Sequence, residues 1–225
     1  MLNELAENIW ISKWADVDVF GFRYPTRMAV IKLQNGDLFI WSPIAFTSDL
    51  GSEVNTLGNV AHIIAPNSLH HLSIPDWQNA YPNAAPKLQD KRKDIVFDED
   101  LGNTPNSPWA GEIDQVVFEG NQITTEIVFF HRQSGTILFV DLLQQFPKNW
   151  FSGWRKIVAR LDKMLAPEPS VPRKFRLAFT NRKVARASFE HIRTWPARIV
   201  LMAHGNPVKK DASGFLEKAF KWLKS

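Results

Sequence analysis

The chain has 225 residues, 44% of them hydrophobic, which suffices for one sizeable core, and a single domain over residues 1–225 is expected. Cysteine is absent, which excludes disulfides, zinc–thiolate sites, iron–sulfur clusters and a cysteine nucleophile, so any metal must rest on His, Asp or Glu. The net charge of +4 is unevenly spread: residues 1–112 hold 8 Lys+Arg against 14 Asp+Glu, a balance of −6, whereas the remainder holds 19 against 9, a balance of +10. The second half therefore presents a basic surface.

The N-terminal "MLNELAENIWISKW" lacks a basic stretch followed by an apolar one, and no segment approaches the ~20 apolar residues that span a bilayer. A soluble, cytoplasmic protein without a membrane partner is the expectation. "MAVIKLQNGDLFIWSP" then gives strands at Met28–Leu33 and Leu38–Trp41 about the hairpin turn Asn35-Gly36. "TSDLGSEVNTLGN" reads as a short helix, with Thr47, Ser48 or Asp49 as N-cap and Gly58 at its end. A buried strand at Val60–Ala65 follows, and Pro75 and Asp76 open another helix, because proline is tolerated in a first turn.

Residues 82–110, rich in Pro, Asn, Asp and Lys, read as a long irregular crossover. Three β-rich runs come next, "DQVVFEG", "QITTEIVFF" and "GTILFVDLL", with a strand at Thr136–Val140 in the last. After Pro147 the period becomes helical: Trp154, Ile157, Val158, Leu161 and Leu165 recur at spacings of three and four. A less regular stripe of Val184, Ala187, Phe189 and Ile192 marks a second helix, followed by a strand at Arg198–Met202 and a terminal amphipathic helix. The order implies a mixed α/β protein with a layered core.

Chemistry-bearing residues gather at strand ends. His70 and His71 follow the Val60–Ala65 strand, Asp141 follows Thr136–Val140, and His204 follows Arg198–Met202, where rigid strands position loops that build sites. Each also has an ordinary reading: Asp141 as a cap of the next turn, His204 as a loop residue bonded to backbone. His62 inside a strand and His191 inside a helix read as packing or surface residues, and His131 beside a Gln-Ser-Gly turn as solvent-facing. Neither HExxH nor HxHxDH is present.

The hairpin with Asn-Gly, the helix, the strand ending at "APNSLHH", the "TILFVD" strand and the late "VLMAHG" strand together resemble the metallo-β-lactamase superfamily over roughly residues 9–208, and within it uncharacterised proteins with PNxxHH in place of the metal motif. The resemblance implies a four-layer αββα sandwich with one or two metals where the loops of the two sheets meet. Laying the family's HxHxDH on "APNSLH" puts Ala65, Asn67 and Leu69 where two histidines and an aspartate would stand, and His70 on the last histidine. Asn121 or Gln122 would fall on another ligand position, and Trp41-Ser42-Pro43 where an Asp-containing turn is usual. The implied survivors are His70, Asp141 and His204, a set sufficient for one divalent metal, with zinc favoured over iron or manganese.

His71 is then a candidate general base or substitute ligand, although adjacent residues of an extended loop point opposite ways, and Asn67 a hydrogen-bonding residue of the same loop. Three functional readings stay open. The first is a metal-dependent hydrolase of an unknown small-molecule ester, amide, thioester or phosphodiester. The second is a catalytically inactive binding or scaffold protein of the same fold. The third is a nucleic-acid-binding relative, suggested by the basic second half and by Arg, Lys and Phe interleaved over Arg173–Arg193. A homo-oligomer is compatible with each. Of the nine tryptophans, scattered along the chain, most are expected in the core or its rim, with Trp77 and Trp109 as walls of a pocket or dimer face.

Overall fold

A computed structural model describes residues 2–13, 15–19, 21–88, 99–167 and 170–224. Strands β1 (Leu2–Ala6) and β2 (Ile9–Ser12) pair antiparallel at one edge. Next come a separate hairpin, β3 (Ala15–Val19) with β4 (Phe22–Thr26), and the pair β5 (Ala29–Lys32) and β6 (Asp37–Trp41). The β5–β6 turn forms as the Asn35-Gly36 signal predicts: Gly36 has φ +90°, and the Leu33 amide donates to the Asp37 carbonyl at 2.9 Å. Helix α1 (Ser48–Asn55) is capped by Thr47, whose Oγ1 accepts from the Leu50 amide. Strand β7 (Asn59–Ala65), helix α2 (Ile74–Ala80) and strands β8 (Ala85–Leu88) and β9 (Glu99–Asp100) follow.

The first sheet has the order β1-β2-β5-β6-β7-β8-β9. Its last two strands lie within the stretch expected to be an irregular crossover; β8, which carries Pro86, and the two-residue edge strand β9 are found by their pairing partners instead of by composition. Residues 89–98, which include the "KRKD" run, lie outside the described residues.

The second sheet, β10 (Ile113–Phe118), β11 (Glu126–His131), β12 (Thr136–Gln145) and β13 (Ile199–Gly205), is antiparallel except for the parallel β12–β13 pair. Alternation of side chains assigns its layers. Phe129, Leu138, Val140, Leu201 and Ala203 meet Ile31, Phe39, Trp41 and Ile64 of the first sheet. Val128, Phe130, Ile137, Phe139 and Met202 face the other way, onto α4 (Arg173–Ala178), α5 (Arg182–Ile192) and α6 (Ala212–Ala219). On the far side of the first sheet, Leu38, Ile40 and Ile63 pack against Leu50 and Val54 of α1 and Trp77 of α2. Four layers result, αββα, as the resemblance implied. No helix among the described residues is long and apolar enough to cross a membrane.

Packing settles the orientation of one helix and corrects the expectations for His131, Trp77 and Trp109. The stripe on α3 (Gly153–Leu161) does not enter the core: Trp154, Ile157, Val158 and Leu161 are 41% to 62% exposed, and Ala159 is the buried residue. His131 is buried, not solvent-facing, with Nδ1 2.8 Å from Ser134 Oγ. Trp77 and Trp109 wall neither a pocket nor an open face; both are fully buried, and their indole N–H groups donate to the Ile44 carbonyl and the Gln115 side chain.

Candidate metal centre

Three segments distant in sequence deliver the site. After β7 the chain turns through Pro66 to His71, and a single side chain shapes that turn: Asn67 Oδ1 accepts from the amides of Leu69 (2.9 Å) and His70 (3.2 Å). The loop is tied to the second sheet, because the Ile127 amide donates to the Pro66 carbonyl at 2.8 Å. Asn67 is fully buried, and its Nδ2 donates to Asp141 Oδ2 at 2.8 Å. Backbone donors on one side and a carboxylate on the other leave one orientation for the amide.

Asp141 does not follow a strand that stops at Val140. It sits inside the long β12 run, where the register with β13 breaks between Phe139 and Gln144. The break leaves backbone N–H groups without a ladder partner, and the buried Glu126 supplies one. Its Oε1 accepts from Val140, and its Oε2 from Asp141 and Leu142, at 2.8 to 2.9 Å. Burial and the nearby Asp141 push the Glu126 pKa up to about 8, against those three donors, which favour the ionised form. Sequence reading missed Glu126; an acidic residue inside an otherwise apolar β run, "TTEIVFF", was the available signal.

His204 likewise lies inside β13, at its penultimate position, and not beyond it. Its Nδ1 is 2.8 Å from the Pro25 carbonyl of β4, which can only accept, so Nδ1 carries the proton and Nε2 presents its lone pair to the cluster. His70 Nδ1 is 2.8 Å from Ser42 Oγ, a hydroxyl able to give or take the bond. Ser42 sits just past β6 with φ +52°, an uncommon conformation for a non-glycine residue and one that accompanies functional positions.

The distances decide what this arrangement can hold. His70 Nε2 lies 3.2 Å from His204 Nε2 and 3.3 Å from Asp141 Oδ2, and His204 Nε2 lies 3.4 Å from Asp141 Oδ1. A tetrahedron with metal–ligand distances of ~2.0–2.1 Å has edges of about 3.3–3.4 Å. The spacing fits three corners of such a site. Its electrostatics fit as well: the His204 Nε2 lone pair and the Asp141 carboxylate converge on one point, and His70 Nε2 joins them as an acceptor when the Ser42 hydroxyl accepts the hydrogen bond from Nδ1. Burial lowers the His70 pKa, keeping the imidazole neutral and able to ligate, although Asp141 works against this. Burial would raise the Asp141 pKa, but His70, with further help from His204, draws it well below the usual carboxylate range.

The remaining sequence candidates fall around this cluster. His71 is outside the ligand set but lines the same cavity, with Nδ1 2.7 Å from the Ser68 carbonyl. Asn121 and Gln122 face elsewhere, bonding to Phe175 and Thr180. His62 packs on Trp109, and His191 is exposed beside Trp195. The cavity above the three ligand atoms measures about 450 Å³; Val17, Ile44, Leu69, Leu72, Ile123 and Phe175 make most of its wall apolar.

The DIM-1 metallo-β-lactamase superposes at TM-score 0.66 with 14% identity, over 100% of this chain and 96% of that one. A metallo-β-lactamase from Pontibacter korlensis gives 0.61 and 11%, over 100% and 99%. This chain has the metallo-β-lactamase fold. The flavodiiron core of Flv1 from Synechocystis sp. PCC6803 is also similar, at 0.66 and 10%, over 100% of this chain and 60% of that one. Residues 7–89 match a family model described as a domain of unknown function, DUF4336. No curated protein matches. On the metallo-β-lactamase fold the triad joins the end of β7 in one sheet to β12 and β13 in the other, so it exists once the two sheets are stacked.

Proposed function

We propose that this protein is a metal-dependent hydrolase with one metal position, formed by His70, Asp141 and His204. The observation that carries the reading is the 3.2–3.4 Å spacing of their ligand atoms at the floor of an apolar cavity. Names of structurally similar proteins, metallo-β-lactamases and a flavodiiron core, support it. A His₂Asp donor set suits zinc first, with iron or manganese as alternatives. A divalent ion held there supplies Lewis acidity and brings the deprotonation of water close to neutral pH.

The chain's own residues do the rest. Asn67 and Glu126 hold Asp141 in place, while Pro25 and Ser42 orient the two imidazoles from behind. His71, with Nδ1 bonded to the Ser68 carbonyl, takes up and returns a proton at Nε2. The apolar walls favour an ester, amide or thioester bearing an apolar group over a phosphodiester, whose charge would need cations. Lys174, the cation of the cavity wall, already lies 2.9 Å from the Tyr24 hydroxyl.

A second reading, an inactive scaffold of the same fold, draws on one observation. Beyond Asp141, the cavity wall offers only Asp16 as a carboxylate among the described residues, and Asp16 is paired with Arg23. Metal analysis of protein purified without chelator separates the readings when joined to assays on ester, amide and thioester panels with added zinc, iron or manganese. The hydrolase reading expects about one metal per chain, lost in Asp141→Asn and His204→Ala, and turnover that is lost with it. Protein that binds no metal and gains no thermal stability from zinc would remove it.

A further inference from the structure

Helix α3 is built the wrong way round for a core helix. Trp154, Ile157, Val158 and Leu161, at i, i+3, i+4 and i+7, share one face, and that face points to solvent. They make up four of the eight large exposed hydrophobic side chains among the described residues. The helix is held by Ala159, which is buried, by Arg155 Nε donating to the Gly21 carbonyl at 2.7 Å, and by the Trp154 ring edge-on to Phe22 at 5.4 Å, which leaves Ile157, Val158 and Leu161 facing solvent. A stripe of this length on one side of a rigidly held helix is a contact surface in search of its partner.

Beside the stripe runs a cleft of about 990 Å³. Among the described residues seven cationic side chains line it, including Lys156, Arg160 and Lys163 next to the stripe and Arg176 of α4, and no described lining residue is acidic. None of the seven forms an ion pair with a described carboxylate. Of the described acids nearby, Asp162 accepts from the Lys174 amide and acts through its charge on Arg176, and Glu217 pairs with Arg193 and Lys224. Leu177 of α4, 82% exposed, lines the adjoining recess with Arg173 and Arg182.

We propose that α3 and this basic cleft form a docking surface for an anionic lipid membrane, with the apolar stripe entering the interface and the cations meeting lipid headgroups. A helix with Trp, Ile and Leu on one face and Lys and Arg along its flank has the composition of an interfacial helix. Basic residues near an anionic leaflet add to that attraction. Charge argues against the other occupants. Two copies docked stripe to stripe would bring both cationic flanks together across the symmetry axis. A nucleic acid would satisfy the cations and leave the four apolar side chains in water. The sequence expectation of no membrane partner rests on the lack of a spanning segment, and surface docking needs none.

The test is flotation of the full chain with phosphatidylcholine vesicles containing phosphatidylglycerol, set against pure phosphatidylcholine. The chain should float with the anionic vesicles alone. Ile157→Ser with Leu161→Ser, and separately Lys156→Glu with Arg160→Glu, should each lower the bound fraction roughly tenfold or more while the melting temperature stays put, since all four positions are exposed. Three results would overturn the proposal: no flotation, flotation indifferent to Ile157→Ser with Leu161→Ser, or a dimer in light scattering that this pair of substitutions dissolves without lipid. A fourth is binding of single-stranded RNA that survives loss of the stripe and disappears with the cations, which would make the cleft a nucleic-acid surface.

Discussion

Asn67 Nδ2 and Asp141 Oδ2 lie 2.8 Å apart, both buried, and join the loop after β7 to the register break of β12 across 74 positions of sequence. The same Asn67 side chain accepts two backbone amides of its own loop, so one residue sets the position of His70 and the direction of Asp141 together. Asn67→Ala should therefore leave a folded protein whose metal affinity is ~10–100-fold weaker. Titration calorimetry with zinc reads this directly, and an unchanged affinity would mean that Asp141 needs no such support.

Metal should report on the triad through stability. With zinc at ~1,000 times its Kd the folded state gains about 4 kcal/mol. For a chain of this size that is a rise of roughly 10 °C in melting temperature. His204→Ala and Asp141→Asn should melt at one temperature with or without zinc. A thermal shift that persists in both variants would locate the metal elsewhere.

His71 should separate from His70 in its kinetics. Under the hydrolase reading, His71→Ala keeps its metal and loses ~100-fold in kcat, whereas His70→Ala loses the metal itself. Equal metal loss in the two variants would make His71 a ligand and not a proton carrier.

Glu126→Gln probes the register break. Above its pKa of about 8 the carboxylate uses both oxygens as acceptors for three amides, and there an amide nitrogen in place of one oxygen sets donor against donor. A loss of about 1–3 kcal/mol in stability is expected, with weaker metal binding, because Asp141 is one of the displaced residues. Urea unfolding measures the first effect and calorimetry the second.

His131 should make the fold acid-sensitive. Ser134 Oγ gives its proton to Thr136, so it accepts from His131 Nδ1, and the buried Nε2 has no partner among the described residues. Burial lowers its pKa to about 4, below the ~6.5 of the unfolded chain. A depressed histidine contributes stability above the unfolded value and loses it as pH falls toward the folded one. About 3 kcal/mol should disappear between pH ~6.5 and ~4, and His131→Asn should flatten that slope in urea unfolding. Parallel slopes would show that His131 is already charged in the native state.

Local chemistry alone was enough for the β5–β6 hairpin, whose Asn35-Gly36 turn needs nothing beyond its own residues, and for the cap of α1 at Thr47. Strands β7 and β13 were legible too, since buried β runs announce themselves by composition, and with them the neighbourhoods of His70 and His204. Strands β8 and β9, by contrast, exist because β7 offers an edge, which no composition within residues 82–110 reveals.

The period of α3 settled which side chains share a face, because 3.6 residues per turn is a property of the helix itself. Which face meets the core depends on what the rest of the chain places beside it, and here Ala159 is turned inward and the large residues outward. The site divides in the same way. Residue types at strand ends nominated His70, Asp141 and His204, since a side chain's chemistry travels with the sequence. Their 3.2–3.4 Å spacing, the tautomer imposed by Pro25 and the support from Ser42 and Glu126 come from stacking two sheets. Contacts between residues tens of positions apart have no local signal to carry them.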